Sequence, residues 1–267
     1  MSLGRTLSLS VALYVMLAGA MPAQTVAAYS PGTRRYHLIA VTTRSTDQNG
    51  QHSEFRITTE QILSVNITAR TANTLDFSYT MDSSSIVTDP PMTMPDISGM
   101  KGTEVHGVMS PYGKVYSYTS AVDTNDVGKQ QLVIGMSKFL VPLPQHAHVG
   151  STWVDTTNKN TEQNGNRLDQ RTITTSTVLA DTTYDGQRAW RVRRQDDLSI
   201  AGSQSSLDSH QTLDGHGKGD AIYYISSTGV YLGSVGSQTT QVKLTEKESG
   251  RTTPGTLAAT LRVELVH

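Results

Sequence analysis

Apolar and polar residues alternate with a period of two over long stretches of this chain, the signature of strands with one buried and one wet face. Phe55, Ile57, Leu63, Val65, Ile67 and Ala69 share one parity, while Glu54, Arg56, Thr58, Glu60, Ser64, Asn66 and Thr68 hold the other. The same rule sets Leu75, Phe77, Tyr79 and Met81 against Asp76, Ser78, Thr80 and Asp82. It recurs in Trp190, Val192, Leu198 and Ile200, and in Leu257, Ala259, Leu261, Val263 and Leu265. Such runs exceed the usual strand of about 5 to 6 residues. The pattern therefore predicts a mainly β protein of strongly curved antiparallel sheets, half-barrel or barrel-like.

Asn49-Gly50 and Asn164-Gly165 are dipeptides suited to two-residue hairpins, where both central residues need positive φ. Ala72-Asn73, Pro111-Tyr112-Gly113, Tyr184-Asp185-Gly186 and Thr228-Gly229 mark further reversals, and Asp89 to Gly102, with three prolines, reads as a long loop. These marks repeat. Thr46-Asp47-Gln48-Asn49-Gly50 matches Thr161-Glu162-Gln163-Asn164-Gly165 at an offset of 115, and Ile57-Thr58-Thr59 matches Ile173-Thr174-Thr175 at 116. Ser110 to Tyr116 aligns with Ser226 to Tyr231 through Gly113 and Gly229, again at 116. Three matches near one offset predict a tandem duplication in which each copy buries its apolar face against the other.

The organisation expected is a signal peptide over 1–28, a first β-rich repeat over 29–122, a helix and linker over 123–150 and a second repeat over 151–267, packed as one body. The helix begins at Asn125 or Asp126, carries Val127, Leu132, Val133, Met136, Phe139 and Leu140 as an apolar stripe, and stops before Pro142 and Pro144. It is expected to pack on the sheet or plug its concave side. The leader is read from Arg5, the apolar run Leu7 to Ala20 and small residues at two possible cleavage points, after Ala20 or after Ala28. A membrane anchor needs about 20 apolar residues, and this run ends near Met21-Pro22. The expected location is periplasmic or extracellular.

Composition narrows the chemistry. The chain has no cysteine, which removes disulfides, thiolate metal sites and lipid attachment at cysteine. Its net charge is −1 with acids and bases mixed, so no basic field recruits nucleic acid. No Gly-x-Ser-x-Gly elbow occurs, and Ser98-Gly99-Met100-Lys101 fits Ser-x-x-Lys without its partner motifs. His146-Ala147-His148 would put two imidazoles on one side of an extended segment, and Asp208, His210, Asp214 and His216 form a second polar group. Neither gives three ligands at a recognised spacing, and the histidines are read as structural. Met92, Met94, Met100, His106 and Met109 offer soft ligands for copper but also suit irregular gaps. No catalytic residue, metal or cofactor is expected.

The ligand-binding candidates are Trp153, Trp190, Arg194, Asp196, Met136 and Phe139. The two tryptophans serve as core anchors or line a groove. Arg194 and Asp196 share the inward parity of Trp190 and Val192, so they pair in a dry interior or mark a binding site in a wet one.

Leu143-Pro144 followed by Val149-Gly150-Ser151-Thr152-Trp153, together with Ala221-Ile222-Tyr223-Tyr224 and Gly229-Val230-Tyr231, resembles a family of exported bacterial β-rich proteins whose function is uncharacterised. Those are often lipoproteins, and this chain departs from them in lacking the cysteine. More distantly, a curved sheet with a helix against it is similar to the half-barrel carriers of lipoproteins or lipids in the periplasm. The resemblance carries no catalytic residues across. Export, a curved β architecture and the lack of catalytic constellations lead to the expectation of a non-enzymatic exported protein that binds a lipid, another apolar or amphiphilic ligand, or a cell-envelope partner. The competing expectations are an outer-membrane β-barrel, a hydrolase with an unrecognised site, and a structural or adhesive module.

Overall fold

The alternation is realised strand by strand in the computed structural model, which describes residues 25–48, 51–91, 101–120, 139–163, 166–206 and 209–267. Every regular element among them is a strand: β1 (Gly32–Gln48), β2 (Gln51–Thr71), β3 (Thr74–Asp89), β4 (Glu104–Met109), β5 (Val115–Ser120), β6 (Thr152–Gln163), β7 (Asn166–Tyr184), β8 (Gln187–Ser206), β9 (Ser209–Ser226), β10 (Tyr231–Glu246) and β11 (Thr252–Val266). They form one antiparallel sheet in the order β5-β4-β3-β2-β1-β11-β10-β9-β8-β7-β6. The sheet is not closed. Strands β5 and β6 are its free edges.

The fold is mainly β and antiparallel as expected, but it has one sheet where several were expected. Its two halves join edge to edge, because β11 lies between β1 and β10 and pairs with both, from Arg35↔Val266 to Thr46↔Gly255 on one side and from Gly233↔Glu264 to Thr245↔Thr252 on the other. This arrangement satisfies backbone groups that two separate sheets would leave on four edges. The Asn-Gly turns lie outside the described residues, although the strands pair up to Gln48↔Gln51 and Gln163↔Asn166 on either side of them.

Alternation decides which side chains line the concave face. Leu63, Val65 and Ile67 of β2, Leu75, Phe77, Tyr79 and Met81 of β3, and Val178, Val192, Ile225 and Val263 further along are all buried. These belong to the half of the sheet nearest the β2–β3, β4–β5, β7–β8 and β9–β10 turns. Toward the other end the inward positions become small. On β9 they are Gly215, Gly217 and Gly219, flanked outward by Asp214, His216, Lys218 and Asp220. A Cβ on Gly217 would lie 2.4 Å from Thr240 Oγ1, so a bare backbone is what lets the sheet bend sharply there.

Among the described residues, two non-strand segments fill the concave side. Phe139, Leu140, Val141, Leu143 and Ala147 are buried, and Phe139 is held edge-on by Tyr36 and Tyr231, both with ring centroids at 5.0 Å, and by Tyr79 at 5.7 Å. Most of the expected helix, including Met136, falls outside the described residues. Its last members, Phe139 and Leu140, form a bend and not a helical turn. Thr25 to Ser30 make the second filling segment, with Val26 and Tyr29 buried.

Candidate functional site

Two cavities of the concave side meet at Arg194 and at the Phe139–Leu140 bend. The first, of about 670 Å³, is a groove whose floor is Leu38, Ala40, Leu63, Leu261 and Val263, with Phe139, Tyr223 and Tyr231 at its inner end. Apart from Phe139 these residues come from β1, β2, β9, β10 and β11, and the floor is shared because the register puts Leu38 beside Val263 and Ala40 beside Leu261. Leu261 remains 40% exposed.

The second cavity, of about 640 Å³, is a slot between the free edges. Val115 to Tyr118 of β5 line one side, Trp153 and Asp155 of β6 the other, and Leu140 to Pro144 run through it. The edge strands face each other there without pairing. The sheet has therefore curled until its ends share one cavity, with an apolar segment in place of the missing ladder.

Arg194 lines both cavities. Its Nε donates to Asp196 Oδ1 at 3.0 Å, and the same oxygen accepts the Thr174 hydroxyl at 2.6 Å. The two charged side chains are 15% and 20% exposed, so the pair sits in a site mostly shielded from solvent. Burial pushes the Tyr223 hydroxyl above its ordinary pKa, Arg194 acts in the opposite direction, and Asp196 adds to the rise. The groove thus has an apolar floor and a polar inner end built from one ion pair and a neutral phenol. It is suited to an amphiphile whose head hydrogen-bonds.

Of the residues singled out from sequence, Arg194, Asp196 and Phe139 meet in the groove and Trp153 lines the slot. Trp190 lines neither cavity and is 2% exposed in the core. Pattern reasoning did not single out Tyr223, Thr174 or Leu261 as site residues. Tyr223 had a usable signal, since it shares the parity of the inward glycines of β9.

The histidine groups do not converge. His146 has a φ of 64° and lies in a turn, so His146-Ala147-His148 is not the expected extended segment, and His148 Nδ1 bonds Ser151 Oγ at 2.7 Å. Asp208 lies outside the described residues, as do Met92, Met94, Met100 and the Ser98-Gly99 half of the Ser-x-x-Lys match. Among the described residues no three His, Asp, Glu or Cys side chains gather as a metal ion requires, and no histidine lines either cavity. No protein-family model and no curated protein matches this chain.

Proposed function

We propose that this is an exported, non-enzymatic carrier or receptor that holds an apolar or amphiphilic ligand along the concave face of its sheet, tail on Leu38, Ala40 and Leu261 and head at Arg194, Asp196 and Tyr223. One observation carries the reading: an apolar floor on which Leu261 stays 40% exposed ends at a shielded ion pair within a single cavity of about 670 Å³. That volume lies in the range of about 300 to 1,000 Å³ typical of small-molecule sites. Each methylene removed from water there contributes about 0.8 kcal/mol.

The outer face argues against an outer-membrane barrel. Its positions carry the ion pairs Arg193–Asp220, Arg262–Glu264 and His37–Glu60 where a lipid-facing wall needs an apolar band. Tandem duplication is supported by the strand order, in which β1 to β5 and β6 to β10 run in the same sense across the sheet. It is also supported by two turns with one design. Gly113 and Gly229 donate to the Ser110 and Ser226 carbonyls at 3.0 Å, and the Ser110 and Ser226 hydroxyls accept Lys114 N–H at 3.0 Å and Val230 N–H at 2.9 Å.

The test is organic extraction of protein purified without detergent, followed by mass spectrometry of the extract. A co-purifying amphiphile near one per chain is expected. A clean apo protein that also takes up no added long-chain acid refutes the carrier reading.

A further inference from the structure

The sequence offers two bonds for leader removal, after Ala20 and after Ala28, and they define different mature proteins. The structure distinguishes their consequences. Thr25 forms a bridge with His148, and Val26, 2% exposed, donates its N–H to Ala147 O at 2.6 Å. Tyr29, 3% exposed, donates its N–H to Pro111 O at 2.7 Å and its hydroxyl to Val141 O at 2.9 Å. Ser30 N–H reaches Gly229 O at 2.9 Å. The segment therefore crosses both matched turns, β4–β5 and β9–β10, and ties them to the filling segment 141–148.

Cutting after Ala28 would remove Val26 from the core along with both contacts to 147–148. It would also turn the Tyr29 amide into an ammonium in a place almost closed to water, and burying a charge without a counter-ion costs several kcal/mol. The β9–β10 turn is shaped around the residue such a cut would delete, because a Cβ on Gly229 would lie 1.8 Å from Ala28 O.

We propose that the leader is removed on the N-terminal side of Thr25, at the bond after Ala20, and that Thr25 to Ser30 stay in the mature protein as a strap closing the turn end of the concave face. This rests on the export reading.

The full chain expressed in a host that exports it, followed by intact mass and N-terminal sequencing of the secreted product, tests the proposal. A first residue at Met21 is expected. A first residue at Tyr29 overturns the proposal and leaves export standing, whereas a chain found only inside the cell with Met1 retained overturns the export reading on which it rests. As a second measurement, chains made to begin at Met21 and at Tyr29 are melted side by side. The shorter is expected to unfold at least about 5 °C lower, and equal midpoints overturn the strap.

Discussion

Gly113 and Gly229 adopt the same φ of 81° in turns at matching places of the two halves, and the strap runs against both. A Cβ on Gly113 would lie 2.6 Å from the Tyr29 ring, and one on Gly229 only 1.8 Å from a backbone oxygen. Gly250, with a φ of 66°, has nothing within 4 Å of the same position. Gly250→Ala therefore carries only the left-handed backbone cost of about 1 to 2 kcal/mol. Gly229→Ala adds a backbone collision, and is expected to lose about 3 kcal/mol or more by urea unfolding. Equal losses at the two sites would mean that the strap does not press on the turn.

The buried ion pair should show coupling. Asp196→Ala leaves the Arg194 guanidinium shielded without its carboxylate and takes the acceptor from Thr174, an expected loss of about 2 to 4 kcal/mol. The double variant Arg194→Met, Asp196→Ala removes the stranded charge and should recover part of that loss in a double-mutant cycle. Strict additivity would indicate that the pair is open to water.

Alkaline stability follows from the tyrosines. Burial pushes the hydroxyls of Tyr29, Tyr36, Tyr79, Tyr223 and Tyr231 above the ordinary range. In the unfolded chain a tyrosine loses its proton near pH 10. Above that pH the folded state binds more protons than the unfolded state, so stability is intact below about pH 10 and falls as pH rises further. Their tyrosinate absorbance is expected to appear together with the loss of β circular dichroism. Full ionisation of all tyrosines in a still-folded protein would contradict their burial.

The tryptophans offer an optical check. Trp190 is 2% exposed, while Trp153 is only partly buried and lines the slot. Iodide should quench Trp153 in the Trp190→Phe variant and leave Trp190 nearly untouched in Trp153→Phe. The reverse ranking would contradict the open edge beside β6.

Strand content and the concave face were legible in the sequence, because alternation is a local property: Leu75, Phe77, Tyr79 and Met81 are all buried. The coverage of that face was not. Leu261 and Val263 belong to one alternating run, yet Leu261 is 40% exposed and Val263 is 2%, since the difference lies in what packs over each from elsewhere in the chain. Val26, Tyr29, Val141 and Leu143 lie in segments without periodicity, where hydrogen bonds to distant turns fix them. The proline-flanked run Phe139 to Leu143 was the available sign of a doubly buried segment. The inward pairing of Arg194 and Asp196 was readable from parity. Its position between two cavities depends on the sheet curling until β5 and β6 face each other, which no local pattern encodes.

The most direct test of the central claim is a fluorescence titration of the detergent-free protein with a dansyl-labelled long-chain carboxylic acid, in wild type and in Leu261→Trp. The substitution puts bulk into the groove without touching the buried core. Saturable binding near one per chain is expected in wild type, weakened at least about ten-fold in Leu261→Trp, or about 1.4 kcal/mol, with the melting temperature unchanged. Absence of saturation, or equal affinity in the two proteins, would contradict a ligand site on the concave face.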